Sequence, residues 1–183
     1  MAAPKSLTFR PVDRSNWADF EALFDAPGGP KSCWCMVWRA TPDEGRDKHG
    51  PSRRKQMAGR IERGVPVGLL AYEGDAPIGW VSIAPRDTYR RLGGPDAKPG
   101  EIIWSLACMF VPRRLRGQGL SERLITAATN HARKAGATVL EAYPVDEDAP
   151  SYRFMGFVPA FERLGFVEVG LAGARRHIMR LTL

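Results

Sequence analysis

The chain has 183 residues, 44% hydrophobic and 26% charged, with a formal net charge of +7. That length fits one domain burying roughly two-thirds of its unfolded surface, so neither a metal nor a disulfide is needed to explain stability. The basic charge is split between Arg46–Arg63, where seven basic side chains meet Asp47 and Glu62, and Arg113–Arg123, where four meet Glu122; an extended nucleic-acid footprint would need a groove with stacking residues, so no nucleic acid is expected.

In chain order, Leu7–Phe9 opens as a short strand, and DRSNWADFEALF follows as a helix with Trp17, Phe20 and Phe24 at three- and four-residue spacings. Gly28, Gly29 and Pro30 stop it. After CWCMVWR and a polar stretch comes a helix from Ser52 to about Gly64. The linker Glu73-Gly-Asp-Ala-Pro77 between apolar runs predicts a hairpin with strands at 67–73 and 78–84. Residues 85–100 are an exposed loop with room for a short helical turn. A long strand over 101–111 leads through a glycine turn into a helix over 120–134, with Leu120, Leu124, Ala127, Ala128, His131 and Ala132 inward and Gly136 at C′. A strand over 137–146, a short helix over 159–164 and strands at 166–170 and 177–183 complete the chain. The expected fold class is mixed α/β, one domain over 1–183, with one strong β-loop-α unit.

The opening MAAPKSLTF lacks the apolar run of a secretory signal, and no apolar run approaches the roughly 18 residues of a membrane span. A cytoplasmic protein with reduced thiols and no membrane span is expected. Cys33, Cys35 and Cys108 fall short of a zinc motif, so the expected metal is none. Cys108 has no His near it in sequence and is expected to be a core residue rather than a nucleophile.

Arg116-Gly-Gln-Gly119-Leu-Ser121 lies between a strand and a helix. Without β-carbons, Gly117 and Gly119 let backbone N–H groups approach a pyrophosphate, and the unpaired N–H groups of the following helix favour the same charge. It is neither GxxxxGK[ST] nor GxGxxG, so nucleotide triphosphate and dinucleotide fingerprints are absent. An ordinary turn with glycines for geometry stands as the alternative.

The wider sequence, VGLLAYEGDAPIGWVSIAP, CMFVPRRLRGQGLSERLITAATNHARKAGATVLEAYPVD and FERLGFVEV over roughly 66–183, resembles the GCN5-related N-acetyltransferase (GNAT) family. The family motif Arg/Gln-x-x-Gly-x-Gly/Ala falls on Arg116, Gly119 and Ser121, with Ser a small departure at the last position. The resemblance implies a central mixed, mostly antiparallel sheet with a splayed parallel strand pair ending near Val111 and Tyr143, and a family-atypical helical and aromatic segment at about 14–64. It implies acetyl-CoA as cosubstrate, held by Met109, Phe110, Val111, Arg114, Arg116, Gly117, Gln118, Gly119, Leu120 and Ser121, and direct attack by an acceptor amine, most simply a small molecule. A protein or peptide acceptor, and a non-catalytic acyl-CoA sensor, are the alternatives. Glu101, Glu141, Tyr143 and Tyr152 are the candidate acid and base groups, because the position where many relatives carry a Tyr is Phe161, which has no proton to give. Trp34, Trp38, Trp80, Tyr89 and Trp104 are candidates for an acceptor pocket, and pairing through a C-terminal strand is a route to a homodimer.

Overall fold

The computed structural model describes residues 6–183; the opening segment read for a leader falls largely on residues 1–5, outside the described residues. Its strands are β1 (Leu7–Pro11), β2 (Gly68–Glu73), β3 (Ala76–Pro85), β4 (Ile103–Phe110), β5 (Val139–Ala142), β6 (Val167–Ala172) and β7 (Arg176–Thr182). The helices are α1 (Trp17–Asp25), α2 (Gly50–Glu62), α3 (Leu120–Lys134) and α4 (Val158–Arg163). The strands form a single seven-stranded sheet in the order β1-β2-β3-β4-β5-β7-β6, antiparallel except for the parallel pair β4-β5.

Apolar periodicity explains why the sheet is covered on both faces. Leu69, Leu70, Ala71 and Tyr72 are consecutive and all buried, so no face of β2 is left to solvent. Leu69, Ala71 and Val81 join Leu120, Leu124, Ile125 and Ala128 of α3 on one face, while Leu70, Tyr72 and Trp80 join Phe20 and Phe24 of α1 and Met57 and Ile61 of α2 on the other. At ~2 kcal/mol per buried large apolar side chain, these two layers supply the driving force for the segment at 14–64 to pack on the sheet.

Boundaries moved where local chemistry intervened. The second helix starts at Gly50, because Pro51 suits a first helical turn whose N–H would be unpaired anyway. The strand expected over 137–146 shrinks to four residues ahead of Pro144, which has no N–H to offer a ladder. The inner stripe of α3 gains Ile125 and Thr129, and Ala127 and His131 are only half-buried. The helical turn allowed in 85–100 is a 3₁₀ turn at Arg86–Thr88.

Two irregularities in the centre position the site. Cys108 pairs with Ser82 and Leu106 with Ile83, so Ala107 is an extra residue in β4, a bulge that flips the alternation beyond it. The parallel ladder ends at Leu106 and Ala142. Beyond it the chain from β5 pairs instead with the segment before α4, Val145 N–H donating to Gly156 O at 3.0 Å and Val158 N–H to Val145 O at 3.1 Å. The sheet is therefore split between the C-terminal half of β4 and residues 143–145.

Candidate active site

A cleft of about 520 Å³ opens at this split. Met109, Phe110, Val111, Arg116, Gly117, Gly119, Leu120 and Ser121 line it, while Arg114 and Gln118 do not; the Gln118 side-chain amide instead donates to Arg114 O at 3.0 Å, bracing the turn. Gly117 and Gly119 have φ of 72° and 76°, the left-handed region that favours glycine. Gly119 is the N-cap of α3 and no side chain caps the helix, whose first N–H groups have no intrahelical partner. Arg116 Nε donates to Val111 O at 3.0 Å, tying the turn to the end of β4.

The other wall was not foreseen. Arg153, Phe154, Gly156, Phe157, Ala160 and Arg163 line it from the segment around α4, with Glu122 and Ile125 from α3. Arg163 pairs with Glu122 across the cleft, Nε to Oε1 at 3.0 Å, and Arg153 stacks on Phe157 with its guanidinium 4.8 Å from the ring. Only the long-range pairing of residues 145 and 156–158 brings these side chains opposite the glycine turn, and no local motif announces it. The cleft therefore joins backbone donors to several guanidinium groups, a donor set suited to a polyanionic cosubstrate.

The acid and base candidates separate. Glu101 precedes β4 and accepts from Lys98 N–H at 2.8 Å, with Arg180 Nη1 at 3.5 Å; eight residues before Met109, it stands roughly 25 Å along the strand and is not brought to the split. Glu141, on β5, is fully buried, with Arg180 Nε donating at 2.8 Å, Arg86 Nη1 at 3.5 Å and the Tyr143 hydroxyl also donating to it. A Cβ at Gly94 would strike that carboxylate, so the 92–96 loop seals it. Burial pushes the Tyr143 hydroxyl well above its usual range, helped by the neighbouring carboxylate. Tyr152 is exposed, at φ 61°, its ring 6.3 Å from both Trp38 and Phe154. Phe161 is fully buried, edge-on to Phe166 at 5.1 Å.

Packing accounts for three of the five candidate pocket aromatics. Trp34 and Trp80 are core residues, the first stacked on Phe24 at 5.5 Å and the second edge-on to Phe20 at 4.9 Å. Trp104 lies on the α3 face, edge-on to His131 at 5.6 Å. Trp38 does reach a cavity, a narrow one shared with Cys33, Cys35, Ala107, Cys108 and Phe154, and Tyr89 borders a separate surface hollow.

Beneath Trp38 lies a buried charge that the sequence did not reveal. Arg39 is 3% exposed, and its Nη atoms donate to Cys35 O at 2.9 Å, Val67 O at 2.5 Å, Ser82 Oγ at 2.8 Å and Tyr89 Oη at 2.9 Å. A guanidinium does not lose its proton in proteins, so burial calls for a counter-anion. Cys35 Sγ lies 3.1 Å away. Hydrogen bonding from the Cys108 thiol, with the Arg39 charge adding to it, outweighs burial and holds Cys35 down to about 5. Cys108 is correspondingly pushed up by that bond and by burial. Burial raises the Tyr89 hydroxyl to about 12, which leaves Cys35 as the neighbour of Arg39 whose ionised form is favoured.

The sequence model of the acetyltransferase (GNAT) family matches residues 31–166. No curated protein sequence matches the chain. Similar solved structures include an aminoglycoside acetyltransferase AAC(6')-Ib in complex with coenzyme A, at TM-score 0.60 and 16% identity over 97% of this chain and 95% of that one. A ribosomal-protein-S5-alanine acetyltransferase from Vibrio fischeri has TM-score 0.58 and 12% identity over 98% and 94%. A PaiA N-acetyltransferase from Thermoplasma acidophilum in complex with coenzyme A has TM-score 0.55 and 11% identity over 97% and 99%. At these identities the likeness is one of fold.

Proposed function

Because the chain belongs to the GNAT acetyltransferase family, we propose that it transfers the acetyl group of acetyl-CoA directly to a primary amine on a small molecule. The observation that carries this reading is the split between β4 and β5 opening onto a cleft whose floor is an uncapped helix N-terminus behind two left-handed glycines. The turn at 116–121 would take the pyrophosphate on backbone N–H groups, with Arg116 and Arg153 adding charge. The edge of β4 over 107–110, which has left its parallel partner, offers backbone groups to the pantetheine arm. When bound, acetyl-CoA supplies an acetyl thioester already activated for attack by an amine. The aminoglycoside and PaiA enzymes were solved in complex with coenzyme A, which supports a CoA-type cosubstrate here.

The chain's own residues then orient, exclude water and handle protons. Phe154 belongs to both the cleft and the narrow cavity beside Trp38, so it marks where the two sides of the split meet. As the N–C bond forms and the C–S bond breaks, the amine gives its proton to solvent water, because Glu141, matched by two guanidinium groups and sealed by Gly94, positions Tyr143 rather than reaching the amine itself. Tyr152 is the exposed candidate, its ring 6.3 Å from Trp38 and from Phe154, which borders both spaces, so we assign its hydroxyl to proton delivery at the departing thiolate. Tyr152→Phe should then lower kcat by roughly 100-fold while leaving acetyl-CoA affinity unchanged. A fall of less than about twofold in kcat would remove Tyr152 from the reaction.

The reading is tested by mixing the protein with acetyl-CoA and a panel of amines, following CoA thiol release and product mass. Amine-dependent turnover supports it. Saturable acetyl-CoA binding without release for any amine would make the chain a sensor, a reading that Phe161 in place of a hydroxyl donor also favours. The outer residues Val167, Val169 and Leu171 on the edge strand β6 are exposed, and β6-β6 pairing is the proposed homodimer contact. Sedimentation of the wild type and of Val169→Lys checks it. No helix of the described residues is long and apolar enough to cross a membrane.

A further inference from the structure

The electrostatics of the acceptor side narrow the substrate class. On the sheet face opposite α3, beside the Ala107 bulge, Tyr89, Leu92, Tyr143, Met155, Ala172 and Ile178 form a small core against which Trp38 packs. Arg176, the first residue of β7, stands over this core. Its guanidinium carbon is 4.6 Å from the Trp38 ring centroid, 5.5 Å from that of Tyr152 and 5.8 Å from that of Tyr143. One Nη1 bond, to Leu92 O at 2.8 Å, is its polar contact. Three aromatic rings thus surround a half-buried cation, and that burial lowers its proton affinity.

No carboxylate of the described residues pairs with Arg176, and the neighbouring acids are already committed. Glu141 is matched by Arg86 and Arg180. Asp146 and Glu168 are drawn to His177, at 3.3 Å and 3.2 Å. Arg180 and Glu101 approach each other at 3.5 Å. The cation is therefore covered by aromatic rings on one side and open to an anion on the other. Trp38, stacked under it, lines the narrow cavity with Phe154, and Phe154 also lines the cleft. The path from Arg176 to the split thus runs over two rings, Trp38 and Phe154.

We infer that the acceptor is an amino-acid-type amine, whose carboxylate pairs with Arg176 while its amine faces the split between β4 and β5. The inference rests on the acetyl-transfer reading and names its substrate class. A planar guanidinium takes a carboxylate through two parallel hydrogen bonds, which orients as well as binds. The exposed rings of Tyr152 and Phe154 suit an apolar or aromatic body on the same acceptor. Polycationic acceptors meet the opposite field here, since the buried Glu141 is sealed and Arg176 repels them.

The test offers the intact protein α- and ω-amino acids with acetyl-CoA, each accepted one beside its carboxamide and its decarboxylated amine, with spermidine as a polycation lacking a carboxylate. CoA release and product mass are read. The free acids should exceed their carboxylate-free counterparts by about 100-fold in kcat/KM, the scale of a charge-assisted pair at ~3 kcal/mol. Arg176→Met should erase that preference, lowering kcat/KM for the acids alone, and Arg176→Lys, which keeps the charge if Met disturbs packing, should retain part of it. Acetyl-CoA affinity should not change in either variant. Carboxamides or spermidine used as well as the acids, or an Arg176→Met loss equal for acid and amide, would overturn the inference with acetyl transfer intact. Absence of release with every amine would instead take down the transfer reading and this inference with it.

Discussion

At the scale of single residues, Arg39 is buried and donates to Cys35 Sγ at 3.1 Å, a contact that favours the ionised thiol. Cys35 ordinarily ionises near 9.0 and is held to about 5 in the folded chain, chiefly by the Cys108 thiol and then by Arg39. A group whose folded pKa is depressed stabilises the fold in its ionised form. The contribution is complete above pH 9.0, declines as pH falls below that value, and is gone below about 5. Urea unfolding at several pH values should show the wild type gaining stability across that window, and Cys35→Ser losing both the gain and, at alkaline pH, about 3 kcal/mol through the stranded guanidinium. Parallel pH profiles for the two proteins would mean that Cys35 is a neutral thiol. A second contrast tests the cleft. Arg116→Ala should weaken acetyl-CoA binding by about tenfold to 100-fold, diminishing as salt screens the field. Arg46→Ala removes only the charge opposite Asp43 at 3.1 Å and should leave the affinity alone. Equal losses would misplace the phosphate site. The Arg39 pair was invisible in the sequence because its partners come from positions 35, 67, 82 and 89, on separate elements. Likewise Trp34 and Trp80 have the composition of a pocket, and only the packing of α1 against β3 makes them core.

Among elements, the glycine turn and α3 behave as a unit, to which the proposed function assigns the pyrophosphate of the cosubstrate. A Cβ at Gly119 would meet nothing within 4 Å, so the protein itself does not require the space. Its φ of 76° still disfavours other residues, by ~1–2 kcal/mol. Gly119→Trp should consequently fold with that modest loss and yet lose acetyl-CoA binding by more than about 100-fold, over ~3 kcal/mol. Calorimetric titration against a melting curve separates the two effects, and a folded variant with unchanged affinity would end the cradle assignment. This unit was legible because its signals are local: a strand, two glycines, then a helical stripe. The hairpin β2-β3 was legible for the same reason. The Ala107 bulge was not, since nothing in SLACMFV distinguishes a residue that a neighbouring strand will skip. The early end of β5 had its cause in view at Pro144, but the bridge from Val145 to Phe157 that opens the split is a pairing across the intervening loop.

For the whole molecule, the proposed function uses the split to give one domain two sides, one for each substrate. The cleft lies with α3 and α4, and the proposed acceptor side lies with the Cys33–Trp38 segment and the β6-β7 hairpin. Transfer through the split needs proximity and a neutral amine more than a protein nucleophile, so no acetylated cysteine should form. Rapid quenching with intact-protein mass analysis should find no adduct on Cys35 or Cys108 that forms and decays at the turnover rate, and finding one would replace direct transfer by a covalent route. Even so, a slow Cys108→Ser variant would not speak to this, because a hydroxyl beside the Cys35 thiolate alters the pair that holds Arg39. The central claim is that the split and the turn before α3 receive acetyl-CoA. A crystal structure with a non-hydrolysable acetyl-CoA analogue measures it most directly: the pyrophosphate should lie within hydrogen-bonding reach of backbone N–H groups at 116–121, with the pantetheine arm along 109–111. An analogue bound wholly at the Cys33–Trp38 segment would contradict the account.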